Sequence, residues 1–392
     1  MNRVIGFAVF LVVILSVLFG IHYFLWLRLV RAPQWPRPWN LLATGALILA
    51  ALSIPASLLL HRSSSEGLKW LAWPAYVWLG VMFLLFVSLL GTDVIRGVSW
   101  LFRRGTGDGA LEPERRQWMA RWFAGVAGAV ATGVGLAALR SALGPVRVNR
   151  VEIKMSRLSA KHDGLSVAQL SDVHVGPTIG RAHIEHLVER TNALSPDIIA
   201  ITGDLVDGSV ADLRHAVAPL ANLRAKHGVF FVTGNHEYFS GASAWVAELE
   251  RIGVRVLRNE RVTIADGTII LELAGVDDHS AARFGEPGHG EDLDKALAGW
   301  SREHPVVLLA HQPRSVLEAA KYEVDLQLSG HTHGGQIWPF GALVRLQQQF
   351  LAGLGQHKNT QIYVSCGAGY WGPPMRLGAP SEIAHLILRA RA

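Results

Sequence analysis

Four apolar runs crowd the first 144 residues, at 4–27, 41–60, 70–90 and 122–139. Each is long enough to cross a bilayer core, which needs about 20 residues as helix. Inside lipid the backbone must satisfy its own hydrogen bonds, so such runs are predicted to be helices. Residues 1–144 therefore read as an all-α transmembrane region of about four helices. Trp26, Trp35, Trp39, Trp70, Trp73, Trp100, Trp118 and Trp122 cluster at the ends of the runs, as an aromatic belt does. A cleaved signal peptide is the competing reading of the first run. Its apolar stretch exceeds the usual core of about 7–15 residues, and three more runs follow. The fourth run is rich in Gly and Ala and reads as the weakest span, suited to close packing against the others.

Charge divides the chain in the same place. The formal net charge is +6. Residues 1–144 carry 13 Lys and Arg against 5 Asp and Glu, a balance of +8, while residues 145–392 carry 24 against 26, a balance of −2. The basic excess lies between apolar runs, where it orients a membrane protein. The near-neutral C-terminal part gives nucleic acid no electrostatic footing as a partner. A single cysteine, Cys366, excludes an intramolecular disulfide framework.

With four spans both termini lie on one side. Arg28, Arg31, Arg37, Arg96, Arg103, Arg104, Arg115, Arg116 and Arg121 flank the first and third loops, nine in all. Seven flank the other side: Arg3, Arg62, Lys69, Arg140, Arg147, Arg150 and Lys154. The positive-inside rule then predicts a multi-pass protein of the cell (inner) membrane with an extracytoplasmic C-terminal domain. Arg115-Arg116 before the fourth run resembles a twin-arginine export signal and is equally read as flanking charge.

From residue 145 to 392 short β-branched runs alternate with amphipathic stretches, which predicts an α/β sheet domain. Strands are expected at 165–171, 197–202, 229–233, 268–276, 305–310, 324–329, 361–365 and 382–388. Helices are expected at 181–194, 210–225 and 243–252. Polar clusters follow the strands: Asp172 and His174 after the first, Gly203-Asp204 after the second, Gly234-Asn235-His236-Glu237 after the third. His311 follows the strand from Pro305, and Gly330-His331-Thr332-His333 the strand from Val324. Ligands of open α/β sheets bind outside the carboxyl ends of strands, so five clusters there would converge on one spot. Two carboxylates, an amide and several imidazoles without a thiolate suit Mn, Fe or Zn. They are too many for one tetrahedral ion. They suffice for two divalent metal ions clamping the attacking and leaving oxygens of a displacement at phosphorus.

Taken in order, these five blocks resemble the signature of the calcineurin-like metallophosphoesterases, over about residues 150–392. The run Gly330–Gly341 resembles the family's bacterial membrane-linked branch, whose members hydrolyse phosphodiester or lipid-like substrates. The resemblance implies a four-layer αββα sandwich following the transmembrane helices. It implies that Asp172, His174 and His333 hold one metal and that Asn235, His311 and His331 hold the second. Asp204 bridges the two, and His236 acts on the phosphate as the catalytic acid. Glycines beside the ligands would supply tight turns at φ > 0.

Asp207 reads first as a helix N-cap or solvated side chain, second as support behind a ligand. Asp277 and Asp278 either orient His311 or His331 or form a turn. Tyr238, Gln336, Tyr370 and Trp371 either line a substrate pocket or pack. Cys366 reads as an inert small hydrophobe in a strand. The expected activity is metal-dependent hydrolysis of a phosphodiester at the membrane, through a dinuclear centre that activates water for in-line attack. The partners expected are membrane lipids and a phosphoester substrate that is lipid- or envelope-linked. The rival readings are a phosphomonoesterase, phosphoprotein phosphatase or nuclease on the same core, and a non-catalytic membrane sensor. No run carries a charged residue well inside it, which disfavours an ion path.

Overall fold

The computed structural model describes residues 2–60, 72–106 and 112–391. They form two compact units, Met1–Arg140 with Gly372–Met375, and Ser141–Trp371 with Arg376–Ala392.

The first unit holds four long helices, α1 (Asn2–Trp26), α2 (Arg37–Leu60), α3 (Ala72–Thr106) and α4 (Pro113–Leu143). All four are long and apolar enough to span a membrane. Helices α3 and α4 run well past the ends predicted for their spans, so Arg96, Arg103, Arg104, Arg115, Arg116 and Arg121 lie on the helix extensions that flank the third loop. Arg62 and Lys69 lie outside the described residues. The extension of α3 carries Asp93, whose carboxylate pairs with Arg28 at 2.8 Å, so the acid next to the span is matched. One polar residue well inside α1 is satisfied too: buried His22 accepts from Trp78 Nε1 (2.9 Å) and donates to the Leu18 carbonyl (2.8 Å). Helix α4 owes its packing to size, because Ala120, Ala124, Ala127, Ala131 and Ala138 recur at helical spacing and are buried.

The second unit is built on two six-stranded sheets. The first has the order β1 (Arg147–Met155), β12 (Glu382–Ala390), β2 (Leu165–Leu170), β3 (Ile198–Thr202), β4 (Val229–Val232) and β5 (Arg255–Val256). The second has the order β10 (Gly353–His357), β11 (Thr360–Val364), β9 (Leu326–Ser329), β8 (Val306–Leu309), β7 (Thr268–Gly275) and β6 (Glu260–Asp266). Side chains alternate faces along a strand, and both faces are covered here. Ile198 and Ala200 of β3 enter the core between the sheets, where they join Val307 and Leu309 of β8. Ile199 and Ile201 point to the outer core under α5 (Arg181–Asn192), α6 (Val210–Val217) and α8 (Ala242–Arg251). Val306 and Leu308 point away on the other sheet, under Leu293, Ala296 and Ala319. The result is a four-layer αββα sandwich.

All predicted strands occur, with ends shifted by a residue or two. The helix predicted at 210–225 stops at Val217 and continues as a 3₁₀ turn to Asn222, where Pro219 removes a donor. Strands β1, β5, β6 and β10 were not predicted, and each is a sheet edge. Their exposed residues interrupt any continuous apolar run, and in β1 and β6 only alternate residues (Val151, Ile153, Met155; Val262, Ile264) reach the core.

Strands β2, β3 and β4 run parallel, as do β7, β8 and β9. Their carboxyl ends deliver the five polar clusters.

Candidate metal centre

Each expected ligand follows its strand within a few residues, and the backbone there is unusual. Asp172 (φ 51°), His174 (55°), Asp204 (51°), His331 (71°) and His333 (52°) all occupy the left-handed region. That conformation is uncommon for a residue with a side chain and clusters at functional sites. The glycines beside the expected ligands divide. Gly203 (φ 83°), Gly334 (61°) and Gly335 (82°) do turn as expected, but Gly234 and Gly330 do not. A Cβ on Gly234 would overlap Asp204 Oδ1, and one on Gly330 would overlap Ser171 Oγ and Asp172 Oδ2. They are needed for close approach.

Three overlapping groups of candidate ligand atoms form, each drawn together within 4.8 Å: Asp172, His174 and His333; Asp204, His311 and His331; and His174, Asp207 and His236. His174 Nε2 and His333 Nε2 face each other at 3.0 Å. Asp204 Oδ2 lies 3.1 Å from His311 Nε2, 3.8 Å from His174 Nε2 and 4.0 Å from His236 Nε2. One carboxylate thus stands between the groups. Asp172 Oδ2 and Asn235 Oδ1 are buried without a hydrogen-bond partner among the described residues, while His311 Nε2 faces only the Asp204 carboxylate, at 3.1 Å. A buried polar atom left bare is costly, so two orphaned oxygens beside these histidines fit a cation that the protein itself does not supply.

The electrostatics agree. Burial disfavours charge on His311, yet the Asp204 carboxylate outweighs it and raises the imidazole well above its ordinary value. Burial also opposes ionisation of Asp204, and His311 with His236 still hold it well below the usual range. Both shifts follow from the direct contact of the two side chains, 3.1 Å apart. Burial, then His311, drives His331 down to about 3, so it is a neutral imidazole with a lone pair to offer.

Behind the ligands stand residues whose part was not assigned or was read otherwise. Asp207 is no N-cap; Ser209 caps α6. Asp207 Oδ1 instead accepts from His174 Nδ1 (3.1 Å) and His236 Nδ1 (2.5 Å) and so aims both rings. Buried Glu237 takes backbone N–H groups of Asp204, Leu205, Val206 and Gly234, at 2.6 to 3.3 Å, and locks two ligand loops together. Buried Arg376 donates to the His333 carbonyl (3.3 Å) and stands 3.2 Å from its Nδ1. His311 Nδ1 donates to the Thr202 carbonyl at 2.7 Å. Asp277 and Asp278 form the turn: Asp277 is a bidentate partner of Arg258, and Asp278 receives Ser280 N and Gln312. Neither touches His311 or His331.

His236 lies over this cluster. Burial lowers its pKa, but Asp204 and Asp207 raise it to about 9, so its ring is protonated at neutral pH. Exposed Phe239 and Trp371 flank it, each ring centroid 5.7 Å away. Tyr238 and Tyr370 pack in the interior, their hydroxyls bonded to His289 and the Thr178 carbonyl. Gln336 grips the backbone of Trp371 through both amide atoms. Cys366 lies two residues beyond β11, and burial pushes its thiol up to about 12, which leaves it unreactive.

A calcineurin-like phosphoesterase family model matches residues 165–335. A "transmembrane protein with metallophosphoesterase domain" of Bos taurus is 42% identical over 330 residues, covering 81% of this chain and 73% of that one. One of the same description from Danio rerio is 34% identical over 397 aligned positions, 97% of this chain and 89% of its own. A metallophosphoesterase of Helicobacter pylori is 43% identical over 226 residues, 57% of this chain and 60% of that one. The chain belongs to the calcineurin-like metallophosphoesterases. It is a membrane-associated, metal-dependent hydrolase of phosphoric esters.

Proposed function

We propose that Asp172, His174 and His333 hold one divalent ion and Asn235, His311 and His331 a second, with Asp204 shared between them. The observation that carries this reading is the position of Asp204, within 4 Å of His311, His174 and His236. Bound there, two ions of Mn, Fe or Zn supply charge to the phosphoryl oxygens and lower the pKa of water, so that a nucleophile exists at neutral pH. The chain's own part is to aim and to move a proton. Asp207 holds His236 by Nδ1 and leaves Nε2 facing the site. As water adds to phosphorus and the ester P–O bond breaks, His236 Nε2 gives its proton to the departing oxygen.

The substrate in this reading is a phosphodiester, lipid- or envelope-linked. The four apolar helices support it, because a membrane tether raises the local concentration of the enzyme near such substrates. The test is a panel on the Mn²⁺-loaded full chain: p-nitrophenyl phosphate, its bis ester, phosphoprotein, DNA and vesicle-borne phosphodiesters. Faster turnover of the mono ester or the phosphoprotein would replace the diester reading.

The domain lies outside the cytoplasm, on the inner-membrane topology supported by nine cationic residues at the first and third loops against seven opposite. Alkaline phosphatase and green fluorescent protein fused after Ala392 test this. A dark phosphatase with a bright fluorescent fusion would reverse it.

A further inference from the structure

The catalytic unit buries its large apolar side chains well, with one concentrated exception. Directly after the ligand His333 the chain turns through Gly334–Gln336 into a short helix, Gly341–Val344. This segment leaves Trp338 (68%), Leu343 (58%) and Leu346 (81%) exposed within nine residues. It is held firmly. Trp338 N donates to the Leu377 carbonyl, Phe340 N to Ile337 and Thr332 Oγ1 to Leu351. Gln336 ties its root to Trp371, which is itself 55% exposed beside His236. The segment is therefore tied directly to the rim of the centre.

Charge indicates the occupant. From Leu326 to Ser381 the sequence contains no Asp or Glu, while Arg345 sits exposed between Leu343 and Leu346. An apolar segment with Trp and a cation, and no carboxylate of its own, matches the interface of an anionic bilayer. The chain also brings this unit to a membrane, since only residues 144–146 separate α4 from β1.

We propose that residues 338–346 are an interfacial anchor that inserts Trp338, Leu343 and Leu346 into the headgroup region of an anionic lipid surface. The anchor presents the metal centre to phosphoesters in that leaflet. This last step rests on the lipid-linked reading above; the insertion does not.

The test uses the full chain reconstituted in phosphatidylcholine–phosphatidylglycerol vesicles, labelled with bimane at Leu343→Cys, Leu346→Cys or, for contrast, exposed Glu250→Cys. Unsubstituted protein serves as the blank for Cys366. Doxyl groups on lipid tails should quench the labels at 343 and 346 several-fold more than that at 250, and iodide should do the reverse. The contrast should shrink in pure phosphatidylcholine. Equal iodide quenching at all three positions overturns the anchor. Protection from both quenchers, with disulfide capture between two Leu346→Cys chains, overturns it in favour of self-association. Leu343→Asp/Leu346→Asp should keep its rate on the soluble bis ester and lose on the order of tenfold on a vesicle-borne diester. Unchanged vesicle turnover would sever the anchor from substrate delivery. Absence of activity on every ester would sink the functional reading and leave the quenching result standing.

Discussion

The two proposed half-sites, Asp172, His174 and His333 in the first and Asn235, His311 and His331 in the second, differ in what stands behind them. The histidines of the first are braced by charged side chains, His174 by Asp207 and His333 by Arg376. In the second, His311 leans on a backbone carbonyl, and Asn235 offers a neutral amide where the first triad has the carboxylate of Asp172. The first half-site brings its own negative charge and a brace that also serves His236. The second depends on Asp204 for its only charge. The lesson is that one carboxylate makes the two halves interdependent, while the supports make them unequal.

The largest effect should come from that shared group. Asp204→Asn keeps the shape and removes the charge, so it should lose at least one ion and nearly all turnover while the fold persists. Two metals by elemental analysis with wild-type rates would break the comparison at its root.

Next comes His236→Ala, which should retain close to full metal content and fall about 10²–10⁴-fold in rate. The deficit should narrow for leaving groups that need no proton. Metal loss matching that of His331→Ala would show His236 to be a ligand.

Asp207→Asn tests the brace. Partners behind a metal-bound histidine are worth about 10–100-fold in affinity or activity. The rate should drop within that range, and the first ion should weaken more than the second. A weaker second ion alone would reverse the assigned asymmetry.

The smallest effect concerns release. In a stepwise titration with chelator one ion should leave before the other, and the first to leave should belong to the half that has no carboxylate of its own. His311→Gln should abolish that early phase and spare the late one. A single concerted loss in wild type would mean the halves are equivalent.

The four apolar helices, the α/β domain and the polar clusters at its strand ends were legible because each rests on local pattern. Apolar length alone decides whether a helix suits a bilayer. Strands buried on both faces, such as 198–201 and 306–309, are apolar throughout, so the polar residues after them stand out. The edge strands β1, β5, β6 and β10 were missed for the complementary reason: exposed residues break them up, leaving at most alternate apolar positions.

By itself, then, the sequence determined which residues could bear chemistry and which segments could enter a membrane. The folded chain decided how those residues are held. Asp207 read first as a helix N-cap or solvated side chain, and only the fold set it against His174 and His236, 33 and 29 positions away. Arg376, 43 positions beyond His333, lies in no motif, yet it is buried against that ligand. The left-handed backbone at five ligands and the exposure of Trp338, Leu343 and Leu346 are likewise decided in three dimensions. Chemistry is a property of a residue and can be read along the chain. Orientation and exposure depend on neighbours that only folding brings near.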